Sequence, residues 1–234
     1  KTMKNISRRE LLKSSGLLFL AGLIDPFAGF ASTLKAAKTI LIVSGWQDVN
    51  IGDIAHTPGL LNVFQTYLPE AKLILWKKSK GEEVGKLLKK NFPKVEIIYG
   101  GVDQDKNVDN PEILAAVQEA DVFVHGSGPL LVGADHLAFW MKNTDKPFGV
   151  FGTTLQTPSE YHQSILKKAS FIYTRETISI EHLREVGIAG DHVQFAPDAT
   201  FFMDIKNDSL GKKFMTDAGL ESKKFICVIP RLRY

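Results

Sequence analysis

The sequence predicts an α/β fold with a doubly wound, mostly parallel sheet, and three observations carry that expectation. Short apolar runs rich in β-branched and aromatic residues (TILIV, LILW, VEII, VFVH, FGVF, FIYT) alternate with segments of helical length. Runs that are apolar almost throughout read as strands covered on both faces, the condition of a parallel sheet between helices. Two of the runs lead into glycine-bearing loops, at the strand ends where an open parallel sheet binds its ligands. Such alternation implies right-handed βαβ units and a Rossmann-like arrangement.

The elements follow in order. Strands are expected at 38–45, 72–76, 95–99, 121–125, 147–152, 171–174 and 193–195. Helices are expected between them at 57–68, 82–91, 111–119, 134–143, 159–168 and 176–187. Pro58 and Pro111 suit first-turn positions, Pro158-Ser159-Glu160 opens a helix, and Gly187 closes one. After Asp198 the pattern loosens into a helix-like SLGKKFMTDAGL, and Phe225 to Ile229 then reads as a buried strand. That last strand either pairs back into the sheet or begins a second domain, and the second reading fits how domains are built. The expected division is a leader over 1–31, a Rossmann-like domain over 38–204, and a linker helix with the first strand of a truncated second domain over 205–234.

Ser7-Arg8-Arg9-Glu10-Leu11-Leu12-Lys13 precedes a short apolar stretch and then small residues, the order of an export signal. The paired arginines are those of a twin-arginine signal, which predicts an exported protein, periplasmic or membrane-associated, and the twin-arginine machinery as a partner. Leu17 to Ile24 is well short of the roughly 20 residues of a spanning helix. Gly29 and Ala31 flank a plausible cut before Ser32. Residues 1–31 carry the whole net charge of +3, so the remainder is formally neutral and has no basic stripe for nucleic acid. Cys227 is the only cysteine, which excludes a disulfide within the chain and a cysteine-based zinc site. Nothing in the sequence speaks to oligomeric state.

Four segments fall at strand ends. In the first, Gly45 to His56, Asn50-Ile51-Gly52-Asp53 sits where a strand gives way to a helix whose free N–H groups favour an anion. The plain alternative is a capped turn with Asp53 as the N-cap. Asp53 and His56 are three residues apart and share a helix face. In the second, Gly126, Ser127 and Gly128 offer N–H groups and a hydroxyl to a ligand, and His125 at the strand end titrates near neutral pH, unless it is simply bonded to backbone. In the third, Arg175 follows a strand and offers a planar fork to carboxylate or phosphate, or else pairs with Glu176 or Glu185. The fourth is the rigid acidic turn Pro197-Asp198, which also reads as a domain exit.

Several chemistries are excluded or weak. The second loop is not G-x-G-x-x-G and follows the fourth strand, which argues against a dinucleotide. No G-x-S-x-G elbow supports a serine nucleophile. Asp135 and His136 are adjacent, so on a helix they point about 100° apart and do not easily share a metal ion.

The order and spacing of these segments over roughly 38–200 resemble the polysaccharide pyruvyl transferase family. The residues that carry the resemblance are Asn50-Ile51-Gly52-Asp53, His125-Gly126-Ser127-Gly128-Pro129-Leu130, Gly149 to Thr154, Thr174-Arg175-Glu176 with Ser179, Leu183, Gly187 and Ile188, and Pro197-Asp198. Ile229-Pro230-Arg231 looks like the start of that family's second domain. The resemblance implies the N-terminal half of a two-domain, glycosyltransferase-B-like protein with its site in the cleft. It implies no cofactor, phosphoenolpyruvate or a related donor as co-substrate, and a saccharide of a cell-envelope glycan as acceptor. His125, Arg175 and Arg231 would be the catalytic groups, and Asn50, Gly52, Asp53, Gly126, Ser127, Gly128 and Asp198 would line the ligand. An exported glycan-binding or accessory module, or a glycosyltransferase-like enzyme on the same fold, stays open beside it.

Overall fold

A computed structural model describes residue 34 and residues 36–228. The leader expected over 1–31 and Arg231 lie outside them. Seven parallel strands form one sheet in the order β3-β2-β1-β4-β5-β6-β7. They are β1 (Thr39–Val43), β2 (Lys72–Lys77), β3 (Glu96–Tyr99), β4 (Val122–His125), β5 (Phe148–Thr153), β6 (Phe171–Thr174) and β7 (Val193–Phe195). Helices intervene: α1 (Ile51–Tyr67), α2 (Glu82–Asn91), α3 (Pro111–Glu119), α4 (Ala134–Asn143), α5 (Glu160–Leu166) and α6 (Thr177–Glu185), followed by a 3-10 turn at Ala199–Phe202. The fold is the doubly wound, Rossmann-like arrangement that the sequence predicts.

Strand order reverses between β1 and β4, which opens the crevice where this fold places ligands. Val43 pairs with His125, so the chain leaves both strands side by side. Trp76, Phe123 and Trp140 stack beneath in the core, which also takes in Leu41, Ile74 and Val150. Burying such side chains is the main force holding the helices to the sheet, at ~1.5–3 kcal/mol for each large apolar side chain.

Two expectations are corrected. The first helix begins at Ile51, not 57, because the side chain of Asn50 accepts the Gly52 N–H and caps it. Pro58 therefore lies inside α1 and leaves the Ile54 carbonyl without its helical donor, whereas Pro111 does sit in the first turn of α3. Phe225 to Val228, the described part of the strand expected to Ile229, are exposed and outside any strand among the described residues. Contacts divide the chain after Asp204. In the second unit, α7 (Asp208–Asp217) is capped by Asn207, which accepts the Leu210 N–H, and buries none of its residues.

Candidate active site

The carboxyl edge of the sheet is knitted from the loops after β1, β4, β5, β6 and β7. Gly45 has φ +76°, and a Cβ there would lie 2.8 Å from Thr57 Oγ1 and 2.9 Å from Lys77 Nζ. Only glycine takes that backbone readily. The Thr57 hydroxyl donates to Ser44 Oγ at 3.1 Å, and the Trp46 indole N–H donates to the Ser127 carbonyl at 2.9 Å. Lys77 is almost fully buried and pairs with Asp48 at 2.8 Å, while Asp48 also accepts the Gly81 N–H. Burial raises the Asp48 carboxyl, but its bonds to Lys77, Ser79 and Gly81 outweigh that and bring it below the usual range.

The glycines of the second loop serve packing. A Cβ on Gly126 would lie 2.8 Å from Ser44, and one on Gly128 would lie 2.7 Å from Trp46 Nε1. The Gly126 N–H donates to Val43, Ser127 Oγ accepts the Ala199 N–H, and Thr153 Oγ1 donates to the Gly126 carbonyl. All three residues are buried. The structure thus places Gly126, Ser127 and Gly128 under the edge, where their contacts with Ser44, Ala199 and Trp46 lock it. His125 is likewise 0% exposed, stacks on Trp46 at 4.7 Å, and accepts the Gly133 N–H at Nε2. It fixes the loop from below.

What the edge brings together is Arg175, Asp198 and His56. Arg175 Nη1 donates to Asp198 Oδ2 at 2.7 Å, and Nε donates to Thr154 Oγ1 at 2.7 Å. Asp198 Oδ1 also accepts the Thr200 N–H at 2.9 Å and lies 3.0 Å from His56 Nδ1. Burial would raise the Asp198 carboxyl, yet His56, Thr200 and Arg175 together lower it to about 2. An ionised carboxylate only accepts, so His56 carries a proton on Nδ1.

The short helix after Arg175 explains its surroundings. Glu176 caps α6 by accepting the Ser179 N–H and is bonded to the Ser179 hydroxyl, which in turn accepts the Leu155 N–H. Glu176 is thus occupied and Arg175 turns to Asp198 instead. The β5 bulge at Gly152, φ +67°, lets Thr153 and Thr154 reach across the loops. The side chain of Arg175 is 26% exposed, and its Nη2 has no partner among the described residues.

In the first loop Asn50 and Gly52 form the cap itself, and Asp53 is buried in the first turn, where it accepts from Gln47 Nε2 at 2.6 Å. The sequence placed His56 on one helix face with Asp53, but its partner Asp198 is 142 residues away. A His one turn into a helix that opens at a strand end is the signal that was available.

Two buried histidines contribute to the acid sensitivity of the fold. Burial lowers His125 to about 3, and burial with the charge of Lys78 lowers His136 to about 4 against a raising effect of Asp135. Both folded values lie below that of the unfolded chain, near 6.5. Their contribution is therefore complete above pH 6.5 and declines as the pH falls toward 4 and 3. For His136 the loss is on the order of 3 kcal/mol across that interval. The urea midpoint is expected to be distinctly lower at pH 5 than at pH 7, and equal midpoints would contradict the neutral, buried assignment.

A single parallel sheet with its polar cluster at the carboxyl edge defines a doubly wound, Rossmann-like domain. S. aureus MnaA in its UDP co-structure matches with a TM-score of 0.51 at 12% identity, covering 76% of this chain and 51% of that one. A UDP-N-acetylglucosamine 2-epimerase from Listeria monocytogenes matches at 0.47 and 12%, over 67% and 44%, and Anabaena HepE in complex with UDP-glucose at 0.46 and 15%, over 77% and 50%. The chain spans about half the length of these structures. The sequence profile of polysaccharide pyruvyl transferase matches residues 50–232, and the chain belongs to that family. No curated protein sequence matches it.

Proposed function

We propose that the full protein transfers a pyruvyl group from phosphoenolpyruvate, or a related enolpyruvyl donor, to a pair of hydroxyls on a saccharide of the cell envelope. The observation that carries this reading is Arg175: a guanidinium held by two hydrogen bonds beside Asp198, with one nitrogen still open. The carboxylate and phosphate of the donor need such a planar cation. In the reaction a proton adds to the enol carbon and a sugar oxygen bonds to the neighbouring carbon. The second hydroxyl then displaces phosphate, closing the ketal and releasing the two hydroxyl protons. His56, with Asp198 holding its Nδ1, is the group placed to move a proton during those steps. Arg231, outside the described residues, is proposed as a second cation, and the acceptor's place in the envelope rests on the leader sequence alone.

The first test is thermal stabilisation of the full protein by phosphoenolpyruvate. Saturable stabilisation is expected, near 2.7 kcal/mol at about a hundred times the dissociation constant. Stabilisation by nucleotide sugars alone would instead favour a glycosyltransferase-like reaction on this fold.

A further inference from the structure

A second polar feature at the carboxyl edge is not used by the Arg175 cluster. A cavity of ≈ 130 Å³ opens between the ends of β1 and β2 and the start of α4, lined among others by Ser44, Trp46, Lys78, Val132, Asp135 and His136. It lies at the side of the β1–β4 crevice. His136 is 7% exposed, and neither of its ring nitrogens has a hydrogen-bond partner among the described residues. Buried polar groups are nearly always paired, and an orphaned imidazole on a cavity wall points to a ligand that pairs it.

We propose that this cavity is a saccharide subsite, in which His136 binds the hydroxyl-bearing edge of a neutral sugar ring. That the sugar is the transfer acceptor rests on the reading above; that the cavity binds a sugar does not. A neutral imidazole offers one N–H and one lone pair, the complement of a hydroxyl that both donates and accepts. Burial keeps the ring in that neutral form. Trp46, tied by its indole N–H to Ser127, adds a rigid aromatic wall of the kind that takes the apolar face of a sugar. Asp135 on the lining is paired with Lys106 at 3.1 Å and accepts from the Tyr161 hydroxyl at 2.7 Å. The planar guanidinium of Arg175 stands elsewhere on the edge, beside Asp198 and Thr154. A fork of that kind suits an anion, whereas a neutral imidazole suits an uncharged, hydroxylated ring. A volume of this size admits one edge of a ring and a few waters.

The test is saturation-transfer NMR on the full protein with the methyl glycosides of glucose, galactose, mannose and N-acetylmannosamine, beside thermal stabilisation by phosphoenolpyruvate. Wild type should show transfer to at least one glycoside. Binding should fall about ten-fold in His136→Gln, since a buried hydrogen bond to a hydroxyl is left unmade. It should fall as far in Val132→Trp, which fills the mouth from an exposed position and so does not depend on a buried substitution being tolerated. Stabilisation by phosphoenolpyruvate should be unchanged in Val132→Trp. Undiminished glycoside binding in Val132→Trp overturns the subsite. So does the absence of transfer to any glycoside in a wild-type protein that phosphoenolpyruvate stabilises, and that result leaves the transferase reading standing. Glycoside binding that Val132→Trp abolishes, in a protein indifferent to phosphoenolpyruvate, upholds the subsite and overturns the donor.

Discussion

Arg175→Ala in the full protein is expected to lower ketal formation by ~10²–10³-fold, the usual cost of removing a group that stabilises charge in the transition state. The side chain is committed at two of its nitrogens, Nε to Thr154 and Nη1 to Asp198, and this fixes the plane of the third. Lysine carries the charge without the fork, so Arg175→Lys should recover little of the lost rate. The substitution also takes a partner from Asp198, but His56 and the Thr200 N–H remain. The folding cost should therefore stay near ~1–3 kcal/mol, the range for hydrogen bonds to charged groups. Loss of stabilisation by phosphoenolpyruvate with a modest fall in the baseline melting temperature is the expected signature. Turnover at the wild-type rate would remove Arg175 from the donor site.

Gly59→Ala should destabilise the domain, against the ordinary rule. In the middle of a helix that exchange normally gains ~1 kcal/mol. Here an added Cβ would lie 2.0 Å from the Ala199 carbonyl oxygen and 2.6 Å from its carbon. Those are backbone atoms, so α1 and the 3-10 turn must move apart. A loss of ~1–3 kcal/mol is expected, or a fall in melting temperature of several degrees. Gly211→Ala in α7 is the control, since nothing lies within 4 Å of its added carbon. It should leave stability unchanged or raise it. A neutral Gly59→Ala would mean that the turn carrying Asp198 is not held by α1.

Strand positions and most element boundaries were legible because apolar runs of four to six residues are a local signal, and the sheet repeats it six times. The start of α1 was not. Its first turn buries Asp53, His56 and Thr57, so apolar periodicity sets in only at Leu60, after the helix has begun. Pro58 was placed by a rule about donors, yet the helix runs through it. The glycine loops lie at the carboxyl edge, where their glycines meet neighbouring loops. Gly126 and Gly128 admit Ser44 and Trp46, and a sequence cannot tell close approach by a neighbouring loop from close approach by a ligand. Arg175 was legible as a cation at a strand end, whereas its partnership with His56 exists only through tertiary contact.

The bond between His56 and Asp198 spans 142 residues of chain. Closing so long a loop is entropically expensive, and contacts of this kind form late and slow folding. On a ribosome α1 emerges long before the turn that docks on it, and the groove at Gly59 stays open until Ala199 arrives. An interrupted polypeptide that has already made six strands and Arg175 therefore holds the imidazole and the guanidinium without the carboxylate that orients them. Completion of synthesis through the last strand is itself the event that arms the edge.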